Sequence, residues 1–89
     1  MSSKVKFFYL PRFGRDYKKL SFEDKEKVNQ ALLKMEGGLS YPSLGVKKMR
    51  GTGDIWEARA SQTLRVTFTL RGNEIYLRTV GHHDILKNP

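Results

Sequence analysis

From Asp54 to His83 the chain alternates apolar and polar residues: D-I-W-E-A-R-A-S-Q-T-L-R-V-T-F-T-L-R-G-N-E-I-Y-L-R-T-V-G-H-H. A period of two held this long predicts a three-stranded antiparallel meander, with strands over Ile55–Ala60, Leu64–Leu70 and Glu74–Val80. Gly72-Asn73 suits a two-residue primed turn, because both residues tolerate positive φ. That turn pairs Arg71 with Glu74, Thr69 with Tyr76 and Thr67 with Arg78. A three-residue loop at Ser61-Gln62-Thr63 pairs Ala60 with Leu64, Arg59 with Arg65 and Glu57 with Thr67. One face then collects Val66, Phe68, Leu70, Ile75 and Leu77 with Trp56 and Ala58, which is a core face. The other collects Arg59 across from Arg65, with Arg78 one pair away beside Thr67 and Glu57.

Upstream, V-K-F-F-Y-L over Val5–Leu10 reads as a first strand that Pro11 ends. Arg12–Leu20 carries Phe13, Tyr17 and Leu20 at i, i+4 and i+7, the spacing of one helix face. Ser21 is a natural N-cap, with Asp24 in the capping-box position, for a second helix running to about Met35. Its apolar stripe is Val28, Ala31, Leu32 and Met35, with Phe22 packing at its start, and Gly37-Gly38 stops it. Lys18, Lys19, Lys25, Lys27 and Lys34, with Glu23, Glu26 and Glu36, fall mostly off that stripe and read as a solvated face. The order is β-α-α-β-β-β. It implies an α+β fold in which a helix hairpin covers one face of an antiparallel sheet and leaves the arginine face open.

Length and charge narrow the picture. The 89 residues make one domain, 1–89, with no repeat, linker or low-complexity segment. There is no cysteine, hence no disulfide and no cysteine zinc site. No apolar run is long enough to span a membrane, and the start, Met-Ser-Ser-Lys, lacks the apolar region of a signal peptide. A cytoplasmic protein is expected. Lys and Arg number 17 against 9 Asp and Glu, a formal net charge of +8 spread through both halves. Such an excess in a folded body attracts polyanions or an acidic protein partner.

Like charges directly opposite across strands are destabilising. Arg59 facing Arg65, with Arg78 near, therefore reads as a site for an anion, and splayed, solvated arginines are the plain alternative. The run K-K-M-R-G places Lys47, Lys48 and Arg50 just before the meander, where they could follow a phosphate backbone. Tyr76 lies on the same face and could stack on a base. His82 and His83, after the last strand, could serve as acid or base. Adjacent strand histidines point opposite ways and do not make a metal site.

The sequence K-K-M-R-G, then I-W-E-A-R-A, L-R-V-T-F and L-R-T-V-G-H-H-D-I-L resembles the RelE/ParE toxin superfamily of type II toxin–antitoxin systems over almost the whole chain. It resembles the RelE-like branch more, through the basic run and the histidines. The resemblance implies a ribosome-associated endoribonuclease that cleaves mRNA through its ribose 2′-OH, without metal or other cofactor, and that a cognate antitoxin neutralises. Arg65 matches the family's arginine in the middle meander strand and Arg59 a basic position on the strand before it. His83 falls where several members place a histidine, and Asp84 stands where those members have a tyrosine. The carboxylate that some members place before the basic run is absent, and Lys47 or Lys48 stands in its place. Two other readings stay open: a ParE-type inhibitor of a protein such as gyrase, and a non-catalytic nucleic-acid-binding relative.

Overall fold

A computed structural model describes residues 5–89; the reading of Met1–Lys4 as no signal peptide lies outside them. Strand β1 (Lys6–Tyr9) ends at Pro11, which opens helix α1 (Pro11–Lys18). Proline suits a first helical turn because the amide it lacks would have no partner there. Ser21 caps α2 (Phe22–Gly37), its Oγ accepting from the Asp24 amide at 3.1 Å. Val28, Ala31 and Met35 are buried on the predicted stripe, and Leu32 is half-buried. Phe22 departs from expectation: it is 77% exposed and packs no helix start. After a short 3-10 turn at Pro42–Leu44 come β2 (Lys47–Lys48), β3 (Ile55–Arg59), β4 (Leu64–Arg71) and β5 (Glu74–His82). A single 3-10 stretch, His83–Lys87, follows.

The sheet order is β1-β5-β4-β3-β2. The meander strands β3 to β5 pair antiparallel as expected; β2, which the sequence order did not include, adds antiparallel to β3, and β1 adds to β5 in parallel, so the sheet is mixed. Both helices lie on one face. There Phe13, Val28, Ala31, Met35 and Leu44 close on Ala58, Leu64, Val66, Phe68, Ile75, Leu77 and Val80 to form the core.

The register holds through the first hairpin, with Arg59 opposite Arg65 and Glu57 opposite Thr67. The second hairpin starts as read, with Arg71 opposite Glu74 and Thr69 opposite Tyr76. Its turn has positive φ at Gly72 alone, the pattern of a II′ turn and not of one with both residues left-handed. Further along, the expected pairing of Thr67 with Arg78 is wrong: Thr67 faces Thr79, and Arg78 is the extra residue of a β-bulge. Burial is the reason. In L-R-T-V two residues separate Leu77 from Val80, so strict alternation cannot put both inside, and one unpaired residue can. Both are buried, at 0% and 1% exposure.

The second face is not open along its whole length. The 3-10 stretch lies over it, with Ile85 seated on Gly81, where any Cβ would come within 2.7 Å of Ile85 Cγ2. Pro89 reaches the same face, its main-chain oxygen accepting from Arg78 Nε at 3.2 Å and from Thr67 Oγ1 at 3.4 Å.

Candidate functional site

Three cross-strand rows order this second face. Arg59, Arg65 and Gly81 form the first, Glu57, Thr67 and Thr79 the second, and Ile55, Thr69 and Tyr76 the third. The bulge decides what the first row contains. It brings Gly81, which has no side chain, beside Arg65, and so makes room for Ile85 and the segment that carries His83.

Arg59, Arg65, Glu57, Lys47 and His83 line one cleft of about 210 Å³, closed by Gly45 and Leu86. The two arginines behave differently in it. Arg65 is held on all sides. Its Nη1 donates to the carbonyls of Ser61, Gln62 and Leu64 at 2.9, 3.1 and 3.1 Å, and its Nε lies 3.6 Å from Glu57 Oε1. The side chains of this pair are 12% and 11% exposed. Arg65 therefore fixes the β3–β4 turn and keeps a buried carboxylate in place, and it has Nη2 left for a ligand. Alternation places Arg78 beside Glu57, but the partner of Glu57 is Arg65. Arg59 is exposed, and among the described residues it has no hydrogen-bond or ionic partner. Its guanidinium rests over Gly45, with Nη2 3.4 Å from where a Cβ would stand. The repulsion expected between the facing arginines is thus met by burying one against a carboxylate and turn carbonyls while the other stays in solvent.

The other residues singled out from sequence divide. Of the basic run only Lys47 lines this cleft, since Lys47 faces Glu57 and Lys48 faces Trp56 on the opposite side of the strand. Arg50 is exposed in the turn after β2. Arg78 leaves the arginine cluster and lines a separate cleft with Arg12, Arg15 and Pro89. Tyr76 lies two rows from Arg65, stacked on Phe8 with ring centroids 4.9 Å apart. Its hydroxyl donates to Glu74 Oε1 at 2.8 Å, and this bond raises the phenol's pKa above the ordinary value of 10.0. The histidines separate at the end of β5, where His82 is the last strand residue and His83 opens the 3-10 stretch. His83 enters the cleft, while His82 turns to the helix side, with Nε2 3.0 Å from Asp24 Oδ2 and Nδ1 3.1 Å from Thr63 Oγ1. His82 thus ties α2 to the β3–β4 turn at a distance from the arginines. Gly45 and Leu86 were not foreseen. They sit in a loop and a terminal segment with no periodicity, and only packing brings them here. Among the described residues no group of three or more His, Cys, Asp or Glu could hold a metal ion.

Chemically, the cleft offers a free guanidinium, a second one fixed in place, an ammonium, an imidazole and a carboxylate. That set can bind a phosphodiester, stabilise charge on its oxygens and move protons at its edge.

No protein-family model matches the chain, and no curated protein matches it by sequence. Solved structures do match in fold. A copper-bound mutant toxin from Helicobacter pylori superposes with a TM-score of 0.76 at 20% identity, over 92% of this chain and 98% of that one. YafQ from E. coli strain BL21(DE3) gives 0.77 at 15% identity, over 93% and 98%. A RelB-RelE antitoxin-toxin complex from Methanococcus jannaschii gives 0.72 at 17% identity, over 91% and 95%. The chain has the fold of RelE-like toxins.

Proposed function

We propose that this protein is the toxin of a type II toxin–antitoxin system and an endoribonuclease that cuts mRNA in association with the ribosome. The observation that carries this reading is the convergence of Arg59, Arg65, Glu57, Lys47 and His83 in one cleft of about 210 Å³. The fold of RelE-like toxins supports it.

In the proposed reaction the ribose 2′-OH attacks the adjacent phosphorus. The bond to the 5′-oxygen breaks, leaving a 2′,3′-cyclic phosphate and a 5′-OH. Negative charge grows on the phosphoryl oxygens, and Arg59 and Lys47, which have no ion pair among the described residues, answer it as cations. Arg65 contributes its remaining donor and holds Glu57. His83 and Glu57 are the proton carriers, one taking the 2′-OH proton and the other supplying the leaving oxygen. His82, bonded to Asp24, takes no part in the chemistry.

Partner binding follows from the +8 charge and from exposed apolar groups. Tyr9 and Leu33, 57% and 61% exposed, line shallow grooves between β1 and the helices. An antitoxin with an acidic, amphipathic segment fits both features.

The test is induced expression followed by mapping of mRNA 5′ ends. Growth arrest with codon-phased cuts is expected, and His83→Asn should remove both while the purified variant still binds RNA. Growth arrest with intact mRNA would point to a ParE-type protein target instead.

A further inference from the structure

A second basic cleft adjoins the first. Lys27, Gln30, Ala31 and Lys34 of α2 face Ser43 and the Arg59–Gln62 turn across about 290 Å³. Positions 27, 30, 31 and 34 fall on one stripe of a helix. The sequence assigned these lysines to a solvated face. Their stripe instead forms one wall of a groove that, among the described residues, holds three cations and no carboxylate.

Those cations are not used up inside the protein. Lys27 and Arg59 have no ionic or hydrogen-bond partner among the described residues, although Glu23 stands four residues before Lys27. Lys34 makes only neutral contacts: Nζ donates to Ser43 Oγ at 3.0 Å and lies 5.4 Å from the centroid of the Tyr41 ring. Three uncompensated cations in one concavity repel each other unless an anion enters.

Arg59 lines both clefts. One guanidinium wide is a short step, and the natural ligand for two anion sites so joined is one chain carrying a charge on each repeat. We infer that the α2 cleft binds a second backbone phosphate of the RNA strand whose scissile phosphate lies in the Arg59–Arg65–His83 cleft. This rests on the functional reading above and extends it to the path of the substrate. RNA fits better than an acidic protein segment. Gln30, Ser61 and Gln62 offer neutral polar groups for sugars and bases, and the apolar side chains in the lining are the methyls of Ala31 and Ala60, too small to anchor a peptide.

The test uses fully 2′-O-methylated oligoribonucleotides, which cannot be cut, of two and six nucleotides. Affinity is read by fluorescence anisotropy as salt is varied. The natural protein should bind the hexamer more tightly than the dimer. Lys27→Gln combined with Lys34→Gln should weaken hexamer binding about tenfold, equivalent to one charge-assisted hydrogen bond. Its slope of log K against log salt should shrink by about 0.7 for each phosphate no longer neutralised, with the dimer unaffected. Lys18→Gln combined with Lys19→Gln, at exposed positions on the C-terminal end of α1 and outside both clefts, controls for loss of charge alone. The inference is overturned if the α2 variant keeps the hexamer's affinity and slope, or loses no more than the α1 control. It is equally overturned if the α2 variant loses binding to poly-glutamate but not to the hexamer, or if the natural protein binds neither oligonucleotide. Because the probes are not cleaved, the result is independent of whether unmodified RNA is cut; failure to cut unmodified RNA would count against the nuclease reading alone.

Discussion

Arg59 and Arg65 face each other in the sheet and read alike in sequence, yet they do different work. Arg65 has low exposure, three carbonyls on Nη1 and a buried carboxylate beside Nε. Removing it orphans those acceptors and leaves the Glu57 carboxylate, 8% exposed, without its cation. Arg65→Ala should therefore destabilise the fold by about 2–3 kcal/mol, or on the order of 10 °C in melting temperature for a domain of this size. From alternation alone, an outward arginine facing another would be expected to leave quietly and relieve repulsion; burial against Glu57 reverses that. Arg59→Ala removes an exposed cation with no partner among the described residues, so stability should stay within about 0.5 kcal/mol, while the RNA cleavage proposed for this site should be lost. Thermal melts of the two variants side by side check the distinction, and equal melting temperatures would refute the structural role of Arg65.

At the scale of elements, β5 and the 3-10 stretch act as a unit that delivers His83. The bulge at Arg78 shifts the register by one residue, sends His82 towards α2 and places Gly81 under Ile85. Gly81→Ala puts a methyl within 2.7 Å of the Cγ2 methyl of Ile85, which is fixed to a branched Cβ and cannot swing aside alone. The 3-10 stretch should lift, carrying His83 and Leu86 away from the arginines. The proposed RNA cleavage should fall at least tenfold in kcat with oligonucleotide affinity little changed, because Arg59, Lys47, Lys27 and Lys34 do not move. A matching loss of affinity would mean that the segment binds RNA and does not merely position the histidine. Adding Ile85→Ala to Gly81→Ala should restore much of the activity by clearing the clash.

The same strand shows what alternation can and cannot reveal. The meander, its first hairpin register, the capped helix and the core face all follow from periodicity, Ser21 and the turn glycines, which are local signals. The bulge was legible too, in the spacing of Leu77 and Val80, but it requires taking burial ahead of strict alternation. The parallel docking of β1 was not legible, because a short apolar strand does not encode which edge it joins. Nor was the composition of the cleft. Arg78 and Arg50 share the residue type expected of a phosphate site, and only packing separates them from Lys47 and Arg59; Lys48 parts from Lys47 by alternation, once β2 is known to be a strand.

For the whole molecule, the question is how a partner would silence it. The +8 charge favours an acidic partner. Such a partner could cover Arg59, or it could displace the segment His83–Lys87 that completes the site. That segment is one 3-10 stretch with no buried residue, seated by Ile85 on Gly81 and by Pro89 on Arg78 and Thr67. Few apolar contacts make a low opening free energy. A partner chain that supplies an apolar side chain above Gly81 and a carboxylate for Arg78 would replace both attachments and remove His83 without touching Arg59 or Arg65. Hydrogen exchange on a complex purified with its co-expressed neighbour protein reads this directly. Displacement should leave the amides of His83–Lys87 exchanging faster than in the free protein, while β4 and β5 stay protected or become more so. Slower exchange across His83–Lys87, together with protection of Lys47 and Arg59, would show that the partner closes over an assembled site and that inhibition is by occlusion.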